Sequence, residues 1–238
     1  MNCRLIIVDG IMGSGKSQTT KWLAATLQQN NSRVRPVEEP FWPHPTRVIT
    51  DLSRPLAPWL ELTAADMARR SLNKWHEFVT DLADSDELVV LDGQLFHGDM
   101  TSLMMMEMPP SEIEEYVGMI YEEIAVLKPF LIYFYQDDPG AALKQISIRR
   151  KPLWLRQQLA WKLASPFARR RKLSDLDGLI DFYKEYRNLT DILYNGFNSG
   201  KCRIDNQKQN WNSYYQIICA ELKSQAGLQL NLNGGGAS

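Results

Sequence analysis

The sequence predicts a three-layer α/β fold: a central parallel sheet of about five strands, helices on both faces, and a basic helical lid. Three observations predict it. Short apolar runs, LIIV (5–8), LVVL (88–91) and FLIYFY (130–135), alternate with long segments of helical periodicity. That is the pattern of parallel strands buried on both faces. A glycine-rich loop separates the first run from the first helical segment. Beyond the fourth run, residues 149–172 hold nine basic residues and no acid.

The elements follow in order. Residues 4–9 (RLIIVD) read as a short buried strand, and KSQTTKWLAATLQQNN places Trp22, Leu23 and Leu27 at helical spacing. Val34 to Val37 is a second strand, ending at Glu38-Glu39-Pro40, and PFWPHP is an irregular loop. Thr63 with Asp66 resembles a capping box opening an amphipathic helix, with Ala64, Met67, Leu72, Trp75, Phe78 or Val79, and Leu82 on its apolar stripe. Leu88 to Leu91 is the third strand, closed by Asp92-Gly93. GDMTSLMMMEMPP predicts a short helix stopped by Pro109 and Pro110, with Met104 to Met108 as adaptable packing. Ser111 with Glu114 predicts a second capping box, and Ile113, Val117, Ile120, Ile124 and Leu127 carry that helix to Pro129. Residues 130–135 are the fourth strand, 139–150 a helix, 174–194 another, Cys202 to Asp205 a fifth strand, and Trp211 to Leu222 the last helix. The tail LQLNLNGGGAS alternates before it turns to glycine, which fits an edge strand or a flexible end.

The chain has 238 residues, 44% hydrophobic and 23% charged, with a formal net charge of −1. That length and balance fit a single domain over 1–226 with a flexible glycine-rich tail over 227–238. Near-neutrality gives no global drive toward nucleic acid or a membrane surface. Cys3, Cys202 and Cys219 are odd in number and lack CxxC spacing, so they read as free thiols of a reducing compartment. No run is long enough to span a bilayer, and LIIV is too short for a signal-peptide core. The expected location is cytoplasmic.

The chemistry begins with GIMGSGKS. Gly10, four residues, then Gly15-Lys16-Ser17 fits the phosphate-binding pattern G-x-x-x-x-G-K-[ST]. Bare backbone N–H groups at Gly10, Gly13 and Gly15 can cradle phosphate oxygens, and the next helix adds the positive end of its dipole. Met12, Ser14 and Gln18 complete the expected nucleotide-binding set. Lys16 is a point charge for the β- and γ-phosphates of ATP, and Ser17 a hydroxyl for Mg²⁺. Asp92, an acid closing a buried strand, is the second expected Mg²⁺ ligand; an Asp-Gly turn is the plainer alternative. Pro40 holds Glu39 extended at a strand end, where its carboxylate can take a proton from an attacking hydroxyl. Glu38 is either a second acid of the site or a solvated loop residue. In the basic stretch, Arg149 and Arg150 lie nearest the strand end and are the expected phosphate-contacting lid residues. His44 and His97 fall in loops beside the expected cleft, His76 on a surface helix face. Phe41 and Trp42 can wall a flat substrate or serve packing.

VDGIMGSGKS resembles the first strand and phosphate loop of the deoxynucleoside kinases, which also place an acid before the first glycine, here Asp9. Glu39-Pro40 is similar to the Glu-Pro pair after the second strand in that family and in the related thymidylate kinases, and Asp92 matches the acid ending their third strand. The resemblance implies a P-loop fold, ATP with Mg²⁺, a base at Glu39 and an arginine-bearing lid, with Cys202–Asn206 near adenine. Both families follow the third-strand acid with arginine, whereas here Gly93-Gln94 stands, and the lid lacks the acid of the nucleoside kinases.

The function expected is a kinase that moves the γ-phosphoryl group of ATP to a small acceptor, a hydroxyl or phosphate of a nucleoside-like, nucleotide-like or other metabolite. Two alternatives remain: a nucleotide-binding regulatory ATPase or switch, and a polynucleotide end kinase using 149–172 as an electrostatic track. A GTPase is disfavoured because no N-K-x-D is present and the DLDG at 175–178 opens a helix. The helices at 63–84 and 111–128 offer a face for a homodimer.

Overall fold

A computed structural model describes residues 3–29, 33–41, 43–49, 57–150 (without the Arg149 side chain) and 152–230. Trp42 and the end of the tail, 231–238, lie outside the described residues.

Five strands, β1 (Leu5–Gly10), β2 (Val34–Val37), β3 (Leu88–Asp92), β4 (Phe130–Tyr135) and β5 (Gly200–Asp205), form one sheet in the order β2-β3-β1-β4-β5. Every pairing is parallel, with Ile7 opposite Leu91 on one side and Leu131 on the other. Alternate strand residues serve opposite faces. Leu5, Ile7, Val89, Leu91, Leu131 and Tyr133 pack against α2 (Ala64–Ala83), α3 (Asp99–Met105), α4 (Pro110–Ile124) and α8 (Asp175–Gly196). Ile6, Val8, Val90, Ile132 and Phe134 pack against α1 (Lys16–Gln29) and α9 (Trp211–Ala226). The expected three layers are therefore present. Because the strands run parallel, Gly10, Glu38-Glu39, Asp92, Gln136 and Asn206 all emerge at one edge, where open α/β sheets bind ligands.

Local chemistry sets the element ends. Thr63 caps α2, its hydroxyl accepting the Asp66 N–H at 3.1 Å, as expected. Ser111 does not cap α4. The cap position is Pro109 and Pro110 opens the helix, so Ser111 is already helical and makes no capping bond. A proline at the first position has its φ preset and needs no N–H partner, so it moves the start upstream. Helix α3 ends before the prolines, where Glu107 turns left-handed at φ 64. Residues 227–230 form no strand, although Leu228 and Leu230 pack on the α1/α9 side.

Between β4 and α8 lie α5 (Pro139–Arg149), α6 (Pro152–Lys162) and α7 (Pro166–Arg170). Part of the basic stretch is tied to the body and away from the sheet edge. Arg170 and Arg171 pair with Glu107 at 3.5 and 3.2 Å, and Arg171 also reaches Glu185 at 3.4 Å and lies over the Phe167 ring. Among the described residues no helix is long and apolar enough to cross a membrane.

Candidate active site

The loop after β1 is built for close backbone approach. Gly10 has φ 144, and a Cβ there would stand 2.1 Å from the Phe134 carbonyl oxygen of β4. Lys16 is buried at the head of α1, and its Nζ donates to the carbonyls of Gly10 at 3.1 Å and Ile11 at 3.2 Å, bridging the loop. Asp9 serves the frame. It is fully buried and accepts the N–H groups of Gly10 and Phe96, each at 2.7 Å, and of His97 at 3.2 Å. Burial pushes its pKa up to about 6 against the pull of Lys16 and these N–H groups. From the far side, Asn206 Nδ2 donates to the Ser14 carbonyl and Trp211 packs against Gly15.

Above the loop opens a cavity of about 540 Å³. Met12, Gly13, Gly15, Lys16, Ser17 and Gln18 line it on the loop side, Glu39 and His97 on another, and Arg150, Trp154 and Trp161 on the lid side. A smaller cavity, about 70 Å³, shares Glu39, His97 and Trp161 and adds Arg47, Asp99 and Ser102. Of the two acids ending β2, Glu39 lines both cavities, whereas Glu38 pairs with Lys21 at 3.0 Å. His97 Nε2 lies 3.9 Å from the Glu39 carboxylate. Burial and the nearby cations Lys16, Lys162 and Arg47 hold the His97 pKa well below its ordinary value, so the ring is neutral at pH 7.

Asp92 is 1% exposed and does not itself line the cavity. Neither carboxylate oxygen has a hydrogen-bond partner of ordinary geometry. Burial raises its pKa, the Ser17 hydroxyl and Lys16 lower it, and Glu39 raises it again. A buried carboxylate whose oxygens lack full hydrogen-bond partners, beside the Ser17 hydroxyl, fits a hard divalent cation. Among the described residues no group of three or more His, Cys, Asp or Glu side chains gathers as a protein-only metal cage. Mg²⁺ needs none, since it keeps waters and takes ligands from phosphates.

The remaining expected residues separate clearly. Gly10 and Ser14 lie under the cavity and line no part of it. Arg150 reaches the wall, 5.8 Å from the Trp154 ring; the Arg149 side chain is outside the described residues. Phe41 is 41% exposed and lines neither cavity. His44 is buried, with its pKa pushed down to about 3 by burial and Arg47, and touches neither cavity. His76 is a surface residue paired with Glu123 at 2.6 Å.

Arg47 and Asp99, which line the smaller cavity, were not expected, and Asn206, expected as part of a segment near adenine, is bound to the Ser14 carbonyl of the phosphate loop. Asp99 Oδ2 accepts the Ser71 hydroxyl at 2.8 Å, and that hydroxyl lies 2.6 Å from the Tyr116 hydroxyl. The only sequence signal for Asp99 is its closeness to the Asp92 turn.

No protein-family model matches the chain, and no curated protein matches its sequence. Among solved structures it is similar to the YorR protein of Bacillus subtilis in complex with phosphorylated GDP, at 14% identity over 92% of this chain and 96% of that one, TM-score 0.47. It is similar to a thymidylate kinase from Ehrlichia chaffeensis at 12% identity over 92% and 100%, TM-score 0.49. It is also similar to EHV4-TK complexed with TP4A, at 16% identity over 63% of this chain and 52% of that one, TM-score 0.28. The chain's own strand order, glycine loop and following helix define a P-loop fold.

Proposed function

We propose that this protein is an ATP- and Mg²⁺-dependent phosphotransferase that moves the γ-phosphoryl group to a small acceptor through a hydroxyl or phosphate. The observation that carries this reading is the alignment at one sheet edge of the loop, Lys16, the unsatisfied Asp92 and, across the same cavity, Glu39. A regulatory switch does not need an acid facing the phosphate loop or a second cavity beside it.

Gly13 to Gln18 hold the donor phosphates on backbone N–H groups and the α1 dipole. Lys16 leaves the loop carbonyls for phosphate oxygens, an exchange of neutral acceptors for charged ones that strengthens its bonds. Ser17 and Asp92 are the residues to hold Mg²⁺, which supplies charge neutralisation on the phosphates when bound. Glu39 receives the proton of a hydroxyl acceptor, with neutral His97 Nε2 standing 3.9 Å from its carboxylate. Arg150 brings a cation from the lid to the transferring group. The work is positioning and electrostatics. The chain acts as one domain in the cytoplasm.

The test is acceptor-stimulated ADP release. Wild type forms phosphorylated product in proportion to ATP consumed, and Lys16→Ala abolishes turnover with every acceptor while its circular dichroism stays unchanged. A folded Lys16→Ala variant at the wild-type rate overturns the reading.

A further inference from the structure

A second acid lines the smaller cavity and has no role in that scheme. Asp99 opens α3, is buried, and shares the cavity wall with Glu39, Arg47, Ser102 and Trp161. Its carboxylate accepts the Ser71 hydroxyl at 2.8 Å and takes the Val48 N–H as well. The Ser71 hydroxyl is held in turn, 2.6 Å from that of Tyr116. Side chains of α2 and α4 therefore fix the acid from behind. An ionised carboxylate has about four lone-pair sites, so acceptor capacity remains for a donor in the cavity.

Size and charge limit what can enter. A cavity of roughly 150 Å³ takes up benzene. The space beside Glu39, about 70 Å³, has no room for a nucleobase but accommodates a chain of a few heavy atoms. Among its lining side chains two carboxylates, Glu39 and Asp99, face one guanidinium, Arg47, and His97 is neutral. That balance favours hydrogen-bond donors over an oxyanion.

We propose that the acceptor is a short polyol or amino alcohol, with one hydroxyl reacting at Glu39 and a second donor, hydroxyl or ammonium, held by Asp99. This rests on the phosphotransferase reading and narrows its acceptor to a small alcohol without a base. The reacting oxygen bonds to the γ-phosphorus of ATP as the bond from that phosphorus to the bridging oxygen breaks. ADP leaves with the electron pair, and the hydroxyl proton passes to Glu39. Asp99 touches no reacting atom and sets specificity. An alcohol with a single hydroxyl leaves it facing carbon, whereas a polyol or amino alcohol satisfies it.

The test is ADP release by the full chain with MgATP and matched acceptors: polyols of three to six carbons, amino alcohols and monohydric alcohols of the same lengths, and nucleosides with their monophosphates. Wild type uses at least one polyol or amino alcohol with kcat/KM at least about tenfold above its monohydric partner and above every nucleoside and nucleotide. The polyol and amino alcohol arms tell which donor Asp99 holds. Asp99→Asn lowers kcat/KM for that acceptor about tenfold, through KM, the difference between a charged and a neutral hydrogen-bond acceptor. It leaves the monohydric alcohol, and the affinity for a nonhydrolysable ATP analogue, within about twofold. A purely structural Asp99 would shift all of these together. If Asp99→Asn does not fold, Ser102→Leu fills the cavity from α3 and carries the test, with at least about a tenfold loss for the same acceptor and the analogue unchanged. The proposal falls if nucleosides or nucleotides are the better acceptors, if monohydric alcohols match their partners, if no polyol or amino alcohol stimulates ADP release, or if the variants turn over like wild type. Analogue binding by wild type keeps the two failures apart: its loss overturns the phosphotransferase reading itself, and this proposal with it.

Discussion

Replacing Gly10 and Gly13 singly by alanine separates two constraints that the sequence motif treats alike. At Gly10 the new Cβ would stand 2.1 Å from the Phe134 carbonyl oxygen, with φ at 144. That oxygen is backbone in the central strand pair β1–β4, where Gly10 sits opposite Phe134. Contact at ordinary distance requires the two strands to part by about 1 Å, which close-packed interiors resist. Backbone strain of about 1–3 kcal/mol and overpacking of about the same size sum to about 4 kcal/mol, a large share of a domain's stability. At Gly13, with φ 75, the obstacle at 2.2 Å is the Cδ1 of Ile146, the free end of a side chain on α5 that can rotate away. Only the left-handed backbone then costs, about 1–2 kcal/mol. Urea unfolding followed by circular dichroism measures both. Gly10→Ala within about 1 kcal/mol of wild type, or Gly13→Ala as the worse variant, refutes the reasoning.

Other perturbations have equally definite outcomes. Burial raises the Asp99 pKa from 3.8 to about 6, so the folded state resists ionisation and wild type loses stability as pH rises through that interval. Asp99→Asn keeps an acceptor for Ser71 and removes the charge. It stabilises by about 3 kcal/mol at pH 8, and the gain vanishes below about pH 4; a constant or opposite difference in denaturation midpoints contradicts this. Asp92→Asn keeps the shape at the end of β3 but removes its charge and turns one acceptor oxygen into an NH2 donor. Its Mg²⁺ requirement for turnover rises at least about tenfold, read from activity against free Mg²⁺, while the fold is retained; an unchanged Mg²⁺ dependence removes Asp92 as a ligand.

What the sequence makes legible here is what depends on near neighbours. Strands buried on both faces must be apolar, which makes β1, β3 and β4 readable. The edge strands β2 (VRPV) and β5 (GKCRID) bury only part of their residues and show as short β-branched or apolar positions. A phosphate loop needs glycines in fixed order between a strand and a helix. Asp92 stands out because it ends β3, and Glu39 because it follows β2 by two residues and precedes a proline. The rest depends on elements distant in the chain. Lys162 reads as one of nine basic residues in a lid, and what buries it is Phe182 and Tyr183 of α8. Ser71 and Tyr116 fall on the apolar stripes of their helices, but only the crossing of α2, α3 and α4 joins them to Asp99. Asn206 becomes part of the loop only because β5 lies beside β4, bringing it to Ser14 across 192 positions. Ser111 misled because its motif is local and the proline before it is stronger.

The central claim is that the loop after β1 grips a polyphosphate, and Trp211, packed against Gly15, is a built-in reporter of it. Titrating MgATP while following tryptophan fluorescence, with Trp211→Phe as the signal control, tests this most directly. A saturable change is expected that is reduced in Trp211→Phe, with Trp154 and Trp161 of the cavity wall supplying the rest, and that shifts to at least about tenfold weaker ATP in Lys16→Ala. A flat titration in wild type, or equal affinity in Lys16→Ala, contradicts it.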